Sequence, residues 1–120
     1  MSHVGIFVGS FFAGTAVILG AFGAHYLKLR IAPAELIVFE TAVRYQMYHA
    51  LALILIGILS MSIDKYQLRL ATYLFTTGIC FFSGSLYVLA FTKTKIIGIL
   101  TPFGGLLLII AWFMVALSAL

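Results

Sequence analysis

The sequence predicts an all-α integral membrane protein, with four transmembrane helices in an up-down antiparallel bundle. Three observations carry this expectation. Of 120 residues, 64% are hydrophobic and only 8% are charged, where a soluble domain carries roughly a quarter charged residues. Windows without formal charge cover residues 4–27, 45–63, 70–92 and 96–120, and each reaches the roughly 17 to 25 residues that a helix needs to cross hydrocarbon. The segments between them are short, so consecutive spans run antiparallel. The windows use most of the chain and leave one transmembrane domain over residues 1–120, with spans at about 4–27, 45–63, 67–91 and 100–120.

Span one begins without a basic segment, so it is read as a retained span rather than a cleaved signal. Gly5, Gly9, Ala13, Ala16, Gly20 and Gly23 recur in steps of three and four, which keeps one helical face almost bare. Lipid gives helices no hydrophobic reason to associate, so such a face serves close backbone approach. Three partner helices are available in the same chain, which favours packing inside the monomer over self-association through this face or docking of another membrane protein there.

Pro33 suits a first helical turn, where its missing N–H would have no partner. Glu35 then stands where the positive end of the helix favours an acid. An amphipathic lead-in is expected from residue 33, placed at the interface, with the span itself beginning near Tyr45. The polar residues from Asp64 to Arg69 permit only a tight hairpin into span three, and Lys93-Thr94-Lys95 closes that span. Pro102 again suits a first turn, and Gly104 and Gly105 let the start of span four approach a neighbour closely. The connection after span one is expected to be the longest and least regular.

Up-down connectivity brings the end of span one, the start of span two, the end of span three and the start of span four to one side. Most of the polar residues fall in that half, and the candidate binding cluster is His25, Glu40, Arg44, Tyr45, Gln46, His49, Ser83 and Ser85. Glu40 and Arg44 are spaced for a helical ion pair in the favourable order, and Tyr48 continues that face. Thr41, Tyr45 and His49 form a second line. Ionisable side chains within a membrane are costly unless paired or turned inward, so partners across the bundle are expected.

Several kinds of chemistry are excluded. The positive residues are scattered at helix ends rather than clustered, so no nucleic-acid partner is expected. Cys80 is the only cysteine, which rules out an intrachain disulfide, and it reads as a small packed hydrophobe. HxxxH and HExxH spacings are absent, and so are GxSxG and SxxK. His25 and His49 form too weak a pair to predict a haem. No metal, cofactor or catalytic residue is therefore assigned, and a membrane enzyme is the least favoured of the functional readings.

Four ordered segments carry a family resemblance: GAFGAH at 20–25, TAVRYQMYHALA at 41–52, FSGSLY at 82–87 and TPFGG at 101–105. In this order they resemble the small bacterial membrane proteins grouped as domain of unknown function 423, the YgdD-like family. The resemblance covers essentially the whole chain, with Phe103 standing where an aliphatic residue is expected. It implies a four-span inner-membrane protein and carries over no catalytic residue.

The leading functional expectation is an accessory, scaffold or interaction protein of the lipid bilayer. The alternative is a transport-related protein that binds a ligand, lipid or proton at the polar cluster in the cytoplasmic half. Lys28, Arg30, Arg44, Lys93 and Lys95 lie on one side, against Lys65 and Arg69 on the other. The positive-inside rule then places both termini outside.

Overall fold

The computed structural model describes residues 2–120. Helix α1 runs over Ser2–His25, α2 over Pro33–Leu59, α3 over Tyr66–Thr92 and α4 over Leu100–Ser118, with 3₁₀ turns at Leu27–Leu29 and Lys95–Ile99. All four helices are long and apolar enough to cross a membrane. At 27 residues, α2 and α3 each extend about 40 Å, which exceeds the hydrocarbon thickness of about 30 Å. No strand occurs among the described residues.

Local chemistry explains the helix ends. Pro33 takes the first turn of α2 with Glu35 beside it. Lys93 closes α3 in the left-handed conformation, with φ of 55°. Within the helices, and at Ser60 just after α2, the hydroxyls of Thr41, Ser60, Thr72, Thr76 and Thr92 each donate to the carbonyl four residues earlier. A hydroxyl in hydrocarbon has no water to turn to, and its own helix supplies the acceptor.

The bundle is flattened, at 46 × 27 × 17 Å. Packing follows chain order: α1 against α2, α2 against α3, and α3 against α4. One apolar cluster, built on Leu53, Ile56, Leu68, Phe75, Ile79 and Leu108, fills the half toward the α2–α3 turn. A smaller one around Leu27, Phe39 and Ala90 closes the opposite end. Buried polar side chains lie between them, namely Gln46, Ser83 and Ser85.

The bare face of α1 is used inside the chain. A methyl group on Gly9 would lie 2.7 Å from the Ala50 carbonyl oxygen, and one on Gly5 would lie 2.9 Å from that of Leu53. Gly57 answers from α2, where a methyl would meet the Ser2 carbonyl oxygen at 2.9 Å. This seam is packing within the monomer, so α2 of the same chain occupies the face considered for self-association.

The helix expected to start at Pro33 does start there and runs unbroken into the span, with Phe39 and Ala42 buried in its first turns. Phe39 lies against Gly23 of α1, so the packing that holds the span also holds its first turns. One expectation is corrected: the connection after α1 is not longer than every other. It covers residues 26–32, the same length as residues 93–99 between α3 and α4. Both contain a 3₁₀ turn, which satisfies backbone groups locally at a hairpin end.

Candidate functional site

The predicted cluster separates into three places. Arg44 and His49 are five residues apart on α2, which puts them about 140° apart around its axis. They therefore open onto different faces. Gln46 lies between them and faces into the bundle.

Gln46 joins three helices. Its Nε2 donates to the Phe12 carbonyl and to the Thr15 hydroxyl of α1, both at 2.8 Å. Its Oε1 accepts from the Tyr87 hydroxyl of α3 at 2.6 Å. Both amide protons are thus used. Ser83 donates to the Ala42 carbonyl at 2.7 Å and ties α3 to α2. The Ser85 hydroxyl lies 2.6 Å from that of Thr101, across the α3–α4 interface. These three predicted site residues are committed to holding helices together.

Arg44 faces outward. Its guanidinium stands 3.8 Å from the Glu40 carboxylate, with both side chains about half exposed. They border a groove of about 230 Å³ between α1 and α2, floored by Gly20, Gly23, Phe39 and Val43. Five N–H donors face one carboxylate at a distance too long for a hydrogen bond. The groove therefore has a cationic rim over an apolar floor.

Tyr45 and His49 face the other way, toward α3 and α4. Their rings stack with centroids 6.0 Å apart, and Phe82 lies 4.7 Å from Tyr45. His49 Nδ1 is 2.6 Å from the Tyr45 carbonyl oxygen and donates to it. Trp112 of α4 lies 6.0 Å from the imidazole. Together with Gly105 and Leu108 these residues line a second groove, of about 400 Å³.

His25 joins neither place. It ends α1 and is exposed. Gly23 packs on Phe39, and His49 lies ten residues further along α2, about 15 Å away along the axis. The two histidines do not meet, which removes the geometry of a bis-histidine haem. No group of three His, Cys, Asp or Glu suited to a metal ion occurs among the described residues.

Sequence reasoning missed Thr15 and Tyr87 as the partners of Gln46, and Trp112 and Gly105 as the far wall of the His49 groove. A signal for the latter was present. Gly105, Leu108, Ile109 and Trp112 stand at i, i+3, i+4 and i+7 on one face of α4. For Thr15 the side-chain pattern gives no such signal, since an isolated hydroxyl in an apolar helix commonly bonds its own backbone.

Comparison with known proteins agrees with this architecture. The family model described as "Protein of unknown function (DUF423)" matches residues 19–105, which contain Arg44, Gln46, His49 and both serines. A UPF0382 membrane protein of Staphylococcus aureus is 46% identical over 113 residues, covering 94% of this chain and 92% of the relative. One from Staphylococcus haemolyticus is 44% identical over 113 residues, with the same coverage of each. The UPF0382 membrane protein YwdK of Bacillus subtilis is 43% identical over 115 residues, covering 95% of this chain and 94% of the relative. No solved structure matches. With its four transmembrane helices, this chain belongs to the DUF423 family of membrane proteins.

Proposed function

We propose that this protein is a small accessory or interaction protein of the bacterial inner membrane, built as one transmembrane domain over residues 1–120 with both termini outside. The observation that carries the reading is the division of labour among the polar residues. Gln46, Ser83 and Ser85 bond between helices, while Arg44 turns its donors outward over a groove between α1 and α2. A frame cross-linked inside and charged on its flank is suited to holding a neighbour in the plane of the membrane. The neighbour that fits this rim is a membrane protein presenting a carboxylate, because the planar guanidinium fork matches that group bidentately.

A second reading has its own support. The apolar floor of Phe39 and Val43 beneath Arg44 also suits an anionic lipid, with the acyl chain along the floor and the head group at the guanidinium.

Ile37 is exposed and lies two turns before Arg44 on the same face of α2. A photoreactive amino acid there, irradiated in intact cells, separates the readings. The accessory role predicts a discrete protein adduct that is lost in Arg44→Lys, since Lys cannot reproduce the fork. Phospholipid adducts alone would replace it with the lipid reading. Adducts unchanged by Arg44→Lys would refute both.

A further inference from the structure

The His49 groove is separate from the Arg44 flank, and the frame does not use it fully. His49 is only 5% exposed, and its Nδ1 is committed to the Tyr45 carbonyl. In a neutral imidazole, a proton on Nδ1 leaves Nε2 as an acceptor. That Nε2 makes no hydrogen bond among the described residues and is not sealed by protein. Its surroundings are the groove lined by Tyr45, Phe82, Gly105, Leu108 and Trp112. An accessible acceptor without a protein donor is free to accept from a ligand, and the groove that His49 lines is walled by aromatic rings and a glycine.

We propose that this groove binds a membrane-soluble hydroxylated aromatic amphiphile of the quinol or phenol type, with the ring hydroxyl donating to His49 Nε2. Each part of the class follows from the site. The ligand must supply a hydrogen-bond donor, because the free nitrogen is an acceptor. It must be uncharged and lipid-soluble, because the groove lies on transmembrane helices and its lining, His49 apart, is Tyr45, Phe82, Gly105, Leu108, Ile109 and Trp112, which offers no counter-charge. It should be flat and aromatic, because Tyr45, Phe82 and Trp112 present ring faces and edges to the space. The size is sufficient: an apolar cavity of about 150 Å³ holds a benzene, and this groove is about 400 Å³. Gly105 keeps it open. A methyl group there would reach only ordinary contact with the Phe82 ring, at 3.6 Å, and would not strike backbone.

Trp112 is the only tryptophan in the chain, and it lines the groove, so its fluorescence reports occupancy directly. The full-length protein in mild detergent is titrated with a short-chain alkyl hydroquinone under reducing conditions, and separately with its dimethyl ether, which has no O–H. The expected result is saturable quenching at one ligand per chain, with affinity about tenfold weaker for the ether, the loss of one hydrogen bond. His49→Phe, which keeps the ring packing, should weaken hydroquinone binding to the level of the ether. Gly105→Leu should abolish saturation for both ligands while Trp112 emission and thermal stability stay near wild type. Non-saturable quenching, or equal affinity for hydroquinone and ether in the wild-type protein, overturns the proposal. The ether comparison needs no variant, so it decides the matter even if a substitution prevents folding. Arg44→Lys should leave this binding unchanged, which keeps its outcome independent of the accessory role.

Discussion

The Tyr87 hydroxyl donates to Gln46 Oε1 at 2.6 Å, and through that single amide α3 is tied to α1, because the Gln46 nitrogen is spent on Phe12 and Thr15. Neither helix hairpin supplies this link alone. Removing either member leaves the other without its partner in a water-poor interior, where the stranded group costs about 1–3 kcal/mol. Tyr87→Phe and Gln46→Leu should each lower stability in detergent by about 1–2 kcal/mol, and the double variant should lose less than their sum. A coupling energy near 0.6 kcal/mol, the average for membrane hydrogen bonds, is expected from the cycle. Strict additivity would mean that the bond contributes nothing to the fold.

Gly104 sets the closest approach in the bundle. A methyl group there would overlap the backbone of Phe82, lying 2.7 Å from its Cα, and backbone cannot rotate away as a side chain can. Gly104→Ala should therefore force α3 and α4 apart, at about 3 kcal/mol, the upper end of overpacking costs. Gly9→Ala, against the Ala50 carbonyl, should behave similarly. Gly14 and Gly84 meet nothing within 4 Å, so alanine at either should hold stability or raise it by about 0.5–1 kcal/mol through lower backbone entropy in the unfolded chain. Thermal unfolding in one detergent compares all four, and equal effects across them would contradict the packing.

These pairs show how far the sequence reached. The charge-free windows located every helix because length and hydropathy are properties of a single segment. The face of Gly5 and Gly9 was legible for the same reason, since steps of three and four declare a stripe. Which polar residues remain available was not legible. Gln46 and Arg44 look equally unusual in sequence, and only the packing angle of α2 decides that one is consumed and the other exposed. His25 and His49 share a side of the bundle by connectivity but differ in depth by ten residues beyond the Gly23–Phe39 contact, and connectivity alone does not encode that register. The amphipathic start of α2 was legible in Glu40 and Arg44, which are about half exposed, while Phe39 and Ala42, on its other face, are buried.

Lys93 offers a test at the edge of the bundle. It is the one described non-glycine residue with positive φ, at 55°, and its amide closes α3 by donating to the Leu89 carbonyl. A side chain in this conformation costs roughly 1–2 kcal/mol, which glycine avoids. Glycine's larger unfolded-state entropy offsets part of that gain, so Lys93→Gly should stabilise the protein by about 0.5–1 kcal/mol. Lys93→Ala keeps the Cβ and equally removes the 3.8 Å contact with Glu35, so it should show no gain. The difference between the two variants isolates the backbone. Equal melting temperatures would mean that the helix end adjusts freely.

Orientation gives the last test, and its argument rests on where the charges are anchored. Lys28, Arg30, Arg44, Lys93 and Lys95 lie toward the two connections that flank α2 and α3 on one side, and Lys65 and Arg69 lie on the other. Positive residues in short loops are retained in the cytoplasm, so both termini are predicted to lie outside. The two opposing charges are also locally engaged. Lys65 Nζ donates to the Ser118 carbonyl at 2.7 Å, and Arg69 pairs with Asp64. An alkaline phosphatase fused after Leu120, which folds only outside the cytoplasm, should be active, and a green fluorescent protein at the same point should be dark. Substituting Lys28, Arg30, Lys93 and Lys95 with Gln leaves Arg44 against Lys65 and Arg69, so the balance reverses to one against two. That variant should lose phosphatase activity in proportion to the molecules that invert. Strong fluorescence from the unmodified chain would reverse the assignment and move the Arg44 flank to the outer half of the membrane.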